Sequence, residues 1–194
     1  AQGGNLDEAL RLAEKTMELT EGTGVSWISE IPAKSLKALI FREQGRTKEA
    51  REILADIKEV PNGLYEESRA VGVLSEIESD EGNYAQAIAV AQRGIDNAGE
   101  DVVGRAWCLR ALARAHHLNG DQDRAEQALR DELDTLKDSD WDEERIHIFA
   151  LLAKILDDQG RHDEAGVTVD EARRLLDRFP PGAQTSRLAE QLSA

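Results

Sequence analysis

The stretch HLNGDQDRAEQAL, residues 117–129, places an Asn-Gly pair between two segments with helical character. Gly120 can adopt the left-handed conformation that closes a helix, and Asp121 can accept the free N–H groups that begin the next one. Ala125 follows five residues after the glycine, where a small side chain lets two antiparallel helices approach closely beside their connection. The stretch therefore predicts a helix A, a tight turn and a helix B.

The same arrangement recurs at intervals of 37 to 41 residues. The turn glycines are Gly4, Gly45, Gly82, Gly120 and Gly160, and the alanines five residues later are Ala9, Ala50, Ala87, Ala125 and Ala165. Seven residues before the last four glycines the chain again has a small residue, namely Ala38, Ser75, Ala113 and Ala153. A fixed period of this length is typical of stacked supersecondary units. The fold class predicted is all-α, an α-solenoid of antiparallel helix pairs.

The repeats predict the domain organisation. We expect a single domain over residues 1–194, with a half repeat at about 4–22, full repeats at about 25–60, 63–98, 101–138 and 140–179, and a short helix at about 185–193. The first helix A departs from the pattern, because Lys34 and Lys37 fall on its apolar stripe. This departure indicates looser packing or a shifted register. Since the chain begins within a repeat, we expect it to be part of a longer protein.

Composition narrows the functional classes. The formal net charge of −15 disfavours binding to nucleic acids and to anionic membranes. No apolar run is long enough to span a membrane, no signal-peptide pattern is present, and a lone cysteine, Cys108, fits a reducing compartment, so we expect a cytoplasmic protein. No metal-ligand spacing, phosphate-binding loop or nucleophile motif is readable, so we expect a protein that is not an enzyme and binds no cofactor and no metal.

The small residue in helix A, the glycine at the turn and the alanine in helix B resemble the pattern of the tetratricopeptide repeat (TPR) family. The resemblance covers residues from about 4 to 179. It implies a right-handed superhelix in which the A helices line a concave groove, and a role in protein–protein interaction. The repeat is longer than the common unit of about 34 residues and is similar to the long repeats of bacterial signal-sensing regulators. The proline that is common at the end of helix B is absent.

Cations outnumber acids on the face of the A helices that the resemblance assigns to this groove, the reverse of the chain as a whole. We define the predicted ligand groove by Arg42, Arg69, Trp107, Arg110, Arg114, His117, His147 and Lys154. Arg110 and Arg114 lie one turn apart and can present two guanidinium groups to carboxylate oxygens, while Trp107 supplies an apolar anchor. The competing interpretation is that these arginines pair with acids on neighbouring helices.

We therefore predict a module that binds a peptide or protein segment, with acidic peptides as the first class to test, inside a larger regulatory or assembly protein. Two alternatives stay open. One is an accessory domain of an enzyme whose catalytic part lies outside these residues, and the other is a self-association platform built on the first half repeat. The oligomeric state is left open.

Overall fold

Every regular element in the described part of the chain is a helix. A computed structural model describes residues 3–20, 26–55 and 66–180, together with residues 182, 185–186, 188–189 and 192. Its helices are α1 (Gly3–Thr20), α2 (Ser26–Glu43), α3 (Thr47–Ala55), α4 (Glu66–Asp80), α5 (Tyr84–Asn97), α6 (Val102–Leu118), α7 (Gln122–Thr135), α8 (Asp142–Asp158) and α9 (His162–Leu176). The prediction of an all-α repeat fold is confirmed.

The order of the helices follows the predicted order of A and B helices. The A helices are α2, α4, α6 and α8, and the B helices that follow them are α3, α5, α7 and α9. The predicted boundaries at residues 22, 25, 60 and 63 lie outside the described residues. One turn differs from the prediction, because Gly4 lies in the first turn of α1. No described helix ends ahead of Gly4, so no helix C-terminus there requires a left-handed glycine.

The other four predicted turn glycines close their helices as expected. Gly45, Gly82, Gly120 and Gly160 have φ angles of 74°, 79°, 81° and 75°. In each turn the residue after the glycine donates its N–H to a carbonyl in the last turn of helix A, as Arg46 does to Phe41 at 2.8 Å and Asp121 to His116 at 2.9 Å. These bonds satisfy carbonyl groups that a helix end otherwise leaves without partners. A glycine at these positions allows helix B to start without an intervening loop.

The small residues beside the turns are buried. Ala50, Ala87 and Ala125 have no exposed surface and Ala165 is 7% exposed, whereas Ala9 is only half-buried. Within the α4–α5 pair the hydroxyl of Ser75 donates to the carbonyl oxygen of Ala87 at 2.8 Å. This bond joins the small residue of helix A to the alanine of helix B. The predicted close approach of the two helices is therefore seen directly in this pair.

Residues Ala1–Ala115 form the first of two compact units. Its core cluster combines buried residues of A and B helices, namely Ala38, Phe41, Ala50, Val73 and Ile77. Half-buried side chains, including Trp107, pack against this cluster. In α2 the buried face includes Ile31, Ser35 and Ala38, while Lys34 and Lys37 are half-buried. Ile31, Ala38 and Phe41 occupy the same positions relative to the turn glycine as the buried Ile146, Ala153 and Leu156 of α8, so the register of α2 is not shifted.

Residues His116–Ala194 form the second unit, and the division falls within α6. Its described core is built on α8, α9 and the C-terminal segment, where Ile146, Ala172, Leu188 and Leu192 are buried together. Thr185, Ser186, Leu188 and Ala189 are helical, within the short helix predicted at about 185–193. Leu188 and Leu192 lie one turn apart and place the apolar side of this segment on the core.

Candidate functional site

The predicted ligand-groove residues are divided between the two units. Arg42, Arg69, Trp107, Arg110 and Arg114 belong to the first unit, on α2, α4 and α6. His117, His147 and Lys154 belong to the second, at the end of α6 and on α8.

In the first unit two arginines contact the ring of Trp107. The guanidinium carbon of Arg69, on α4, is 5.2 Å from the centre of the Trp107 ring, and that of Arg110 is 5.6 Å away. Both distances are within the range of a cation–π contact, which contributes about 0.5–1 kcal/mol at a partly exposed site. All three side chains are half-buried. We call Arg69, Trp107 and Arg110 the tryptophan–arginine cluster.

A glycine brings α4 and α6 close together beside this cluster. A Cβ atom on Gly72 would lie 3.3 Å from the carbonyl oxygen of Trp107, so only a residue without a side chain fits comfortably there. The close contact of the two backbones brings the ring of Trp107 near Arg69 on the neighbouring helix. The ring also packs against the core cluster of the first unit, which fixes one of its sides.

The other two arginines that the first unit contributes to the predicted ligand groove, Arg42 and Arg114, are paired with acids. Arg42 contacts Glu76 at 2.7 Å and Asp80 at 2.6 Å, and Arg114 contacts Asp80 at 2.7 Å. We call these four residues the ion-pair network; it links α2, α4 and α6. For Arg42 and Arg114 the structure therefore agrees with the competing interpretation, in which arginines of the A helices contact acids of neighbouring helices. A ligand carboxylate would have to displace Glu76 or Asp80 to bind these arginines.

Burial shifts the pKa of Glu76, the acid at the centre of the ion-pair network. The side chain of Glu76 is 12% exposed, and desolvation raises its pKa even though Arg42, Arg110 and Arg114 favour its charged form. The predicted ligand groove includes neither Glu76 nor Asp80. Asp80 lies one turn after Glu76, and this spacing was the signal that could have identified it.

Cys108 has no features of a reactive thiol. It is fully buried, its Sγ donates to the carbonyl oxygen of Ser68 at 3.1 Å, and burial raises its pKa to about 12. A nucleophilic or metal-binding cysteine needs a thiolate, which this environment disfavours. Across residues 3–20, 26–55 and 66–180 and the described C-terminal positions, no three His, Cys, Asp or Glu side chains are grouped to hold a metal ion.

In the second unit His147 and Lys154 line a pocket of ≈ 650 Å³ between α8 and α9. The opposite side of this α8–α9 pocket includes His162 and Gly166, and Leu192 of the C-terminal segment borders it. His162 is bound through Nδ1 to Asp157 Oδ1 at 2.6 Å. The sequence analysis missed the contribution of α9 and of Leu192, because it considered only the face of the A helices.

His117, the remaining residue of the predicted set, is half-buried at the end of α6. Its Nδ1 lies 2.9 Å from Oε1 of Gln122, in the first turn of α7. This contact joins two residues on either side of the Gly120 turn. The structure does not bring His117 into the lining of the α8–α9 pocket.

The neighbouring His116 is buried and gives the protein an expected sensitivity to acid. Its Nδ1 is 3.8 Å from Asp121 Oδ2, and burial lowers its pKa below the ordinary value of 6.5, with Asp121 opposing this effect and Arg124 adding to it. The unfolded chain therefore takes up a proton at His116 before the folded chain does. Stability is expected to fall as the pH drops below about 6.5, by up to about 1.4 kcal/mol per pH unit from this group.

Urea unfolding between about pH 7 and pH 5 checks this expectation, with His116→Gln as the test variant and His162→Gln as an exposed control. His116→Gln should reduce the slope of stability against pH, whereas His162→Gln should leave the contribution of His116 in place. Equal slopes for His116→Gln and the unmodified protein would show that His116 is not the source of the acid sensitivity.

These features define the class of protein first, a helical-repeat protein built from antiparallel A and B helices. Residues 106–131 and 147–171 match the tetratricopeptide repeat family. In these two segments the chain is similar to tetratricopeptide repeats, and its fold is a TPR-like helical repeat. Repeats of this class generally mediate protein–protein interactions and typically serve as non-catalytic scaffolds. Among curated proteins, no sequence matches the chain.

Solved structures with similar folds are also repeat proteins. BtubC from P. vanneervenii has a TM-score of 0.71 at 15% identity, over 96% of this chain and 81% of that one. A Q17M variant of kinesin-light-chain-type TPR-like repeats from Podospora anserina has a TM-score of 0.59 at 20% identity, over 96% and 91%. PilF of Pseudomonas aeruginosa has a TM-score of 0.54 at 14% identity, over 97% and 82%. At these identities the similarity shows the fold.

None of the described helices combines the length and the apolar character that a membrane-crossing helix needs.

Proposed function

We propose that this chain binds a peptide or protein segment through the face formed by α2, α4 and α6, with the tryptophan–arginine cluster as the anchor. The observation that carries the proposal is Trp107, a half-buried indole whose ring centre lies 5.2 Å from the guanidinium carbon of Arg69 and 5.6 Å from that of Arg110. Tryptophan and arginine are the residue types that contribute most to binding at protein interfaces. An indole fixed on one side by the core has little conformational entropy to lose on binding.

The charge of the cluster favours an acidic segment. A guanidinium group that lies against an aromatic ring can still donate hydrogen bonds to a carboxylate, so one arginine can contact the ring and the ligand together. Arg69 and Arg110 come from two different helices, and both guanidinium groups contact the same ring. A ligand with an apolar side chain next to Asp or Glu would match this arrangement.

Arg42 and Arg114 have a supporting role in this proposal. Their ion pairs with Glu76 and Asp80 connect the three A helices that carry the binding face. A ligand carboxylate would have to displace these acids, and the separated Glu76 would remain buried, which is costly. The proposed anchor is therefore smaller than the predicted ligand groove.

The proposal includes a non-catalytic role within a larger regulatory or assembly protein. The binding face presents an indole and guanidinium groups, and the only thiol in the sequence is buried with a raised pKa. A cytoplasmic setting is part of the proposal, because a lone cysteine fits a reducing compartment.

Fluorescence anisotropy with a short labelled peptide, in which Asp and Glu flank a central Leu, tests the proposal. Arg69→Ala combined with Arg110→Ala is expected to weaken binding at least about tenfold and to reduce its dependence on salt. The matched control is Arg93→Ala combined with Arg105→Ala, which removes the same charge from exposed positions of the first unit. The control should stay within about twofold of the unmodified protein.

Equal weakening in both double variants would attribute the binding to net charge and contradict the proposed site. The absence of binding by the unmodified protein would contradict the proposal as a whole. Trp107→Phe should retain part of the affinity, because phenylalanine keeps an apolar ring but is a weaker cation–π partner.

A further inference from the structure

The α8–α9 pocket continues a surface on which the protein already holds a helical segment. Leu188 and Leu192 are 2% and 9% exposed, and they pack in one cluster with Ile146 and Ala172 of α8 and α9. Leu192 also borders the pocket. The pocket is therefore the extension, along the same two helices, of an interface that accepts leucines spaced at i, i+4.

Small side chains line much of this extension. Ala150, Ala153, Ala165 and Gly166 are among the lining residues of the pocket. A Cβ atom on Gly166 would meet no atom within 4 Å, so the space above α9 is open at this point. A second helix can approach closely where the first presents alanine and glycine. The volume of ≈ 650 Å³ has room for several apolar side chains of an incoming helix.

One charged group of the pocket, Lys154, offers a contact to an acid on the incoming helix. Lys154 is exposed on α8, and the one lining carboxylate, Asp157, is bound to His162. The contact with His162 occupies one oxygen of Asp157, and Lys154 supplies the only ammonium group among the lining residues. A carboxylate placed one turn from an apolar residue could contact Lys154 while the apolar residue fills the pocket.

The large exposed apolar side chains argue against a second copy as the occupant. Among the side chains that the structure describes they are Leu12, Leu19, Leu36, Val102, Leu118, Trp141 and Val167, and no two of them are three or four residues apart. These side chains therefore include no exposed i, i+4 pair of large apolar residues like the one that the α8–α9 surface accepts from Leu188 and Leu192.

We propose that the α8–α9 pocket docks an amphipathic helix of a partner protein, with apolar residues at i, i+4 spacing and a carboxylate that contacts Lys154. This site goes beyond the tryptophan–arginine cluster. All of its residues belong to the second unit, and its ligand is a helix with an apolar stripe. The two proposals can therefore fail separately.

The test uses isothermal titration calorimetry with the full chain and a synthetic helical peptide of about four turns, with leucines at i, i+4 spacing flanked by glutamates. Gly166→Glu adds bulk and negative charge where the floor is open, and it is expected to weaken binding at least about tenfold. The fold should tolerate this change, since glutamate forms helices better than glycine. The matched control is Val167→Glu, which places the same charge at the neighbouring, 64% exposed position and should change the affinity less than about threefold.

A charge exchange identifies the role of Lys154. Lys154→Glu is expected to weaken the glutamate peptide and to strengthen a peptide with lysines in place of its glutamates. Arg69→Ala with Arg110→Ala should leave both affinities unchanged, which separates this site from the proposed function. No binding of the glutamate peptide, or equal effects of Gly166→Glu and Val167→Glu, would overturn the proposal.

Sedimentation velocity at several concentrations tests whether a second copy of the chain occupies the pocket. A monomer at all concentrations agrees with a partner helix as the occupant. Association that Gly166→Glu abolishes would show that a second copy occupies the pocket, and would overturn the assignment to a different protein.

Discussion

Gly94→Ala is expected to lower the free energy of unfolding by roughly 1–3 kcal/mol, the usual range for overpacking a helix contact. A Cβ atom at Gly94, in α5, would lie 2.4 Å from Sγ of Cys108 and 2.9 Å from Cγ1 of Val71. Cys108 is fully buried on α6, so its sulfur has no open space to move into. Urea unfolding followed by circular dichroism measures the loss.

The destabilisation by Gly94→Ala can be compared with a matched control variant and with a variant that should relieve the clash. Gly166→Ala makes the same change inside α9, where a Cβ atom meets nothing within 4 Å, and it should stabilise the protein by about 0.5–1 kcal/mol through helix propensity. Cys108→Ala removes the sulfur, so the cost of Gly94→Ala should become smaller in that background. If Gly94→Ala and Gly166→Ala had the same effect, the close contact of α5 and α6 would be wrong.

Arg42→Ala is expected to lower the free energy of unfolding by roughly 2–3 kcal/mol, somewhat below the range for breaking a fully buried pair. The side chain of Arg42 is 10% exposed and contacts Glu76 and Asp80 on α4. Without Arg42, the buried carboxylate of Glu76 loses its nearest cation. Urea unfolding near neutral pH is the measurement.

The pH dependence of this loss is a further part of the prediction. Burial already raises the pKa of Glu76, and the loss of Arg42 should raise it further. A raised carboxyl pKa means that the folded state keeps its proton more readily, so the destabilisation should shrink as the pH falls through that pKa. Arg42→Ala combined with Glu76→Gln should recover part of the stability at neutral pH. A loss independent of pH, with no recovery in the double variant, would contradict the role assigned to Arg42.

The turns and the small positions beside them could be predicted from the sequence because they depend on local geometry. The left-handed positions that follow Gln44 and Asn119 require glycine. The close approach of helices A and B beside each turn requires alanine or serine. The period then gives the helix order without knowledge of any distant contact. Gly4 was assigned to a turn because it shares the pattern, although the structure places it inside α1.

The partners of the charged residues depend on contacts between helices, which the repeat does not encode. Arg42 and Arg69 occupy the same expected face, yet Arg42 pairs with acids and Arg69 lies against Trp107. Likewise, Gly94 and Gly166 are both glycines inside B helices, yet one faces Cys108 and the other faces open space. The sequence identified most of the candidate binding residues, but not which of them are engaged in internal contacts.

The central claim, that a partner segment is bound at the tryptophan–arginine cluster of the first unit, is tested most directly by NMR. Titration of ¹⁵N-labelled protein with the acidic peptide should shift the indole N–H signal of Trp107 and the signals of Arg69 and Arg110, while the indole signal of Trp141 in the second unit stays in place. Saturable binding that shifts Trp141 and leaves Trp107 unchanged would contradict the claim.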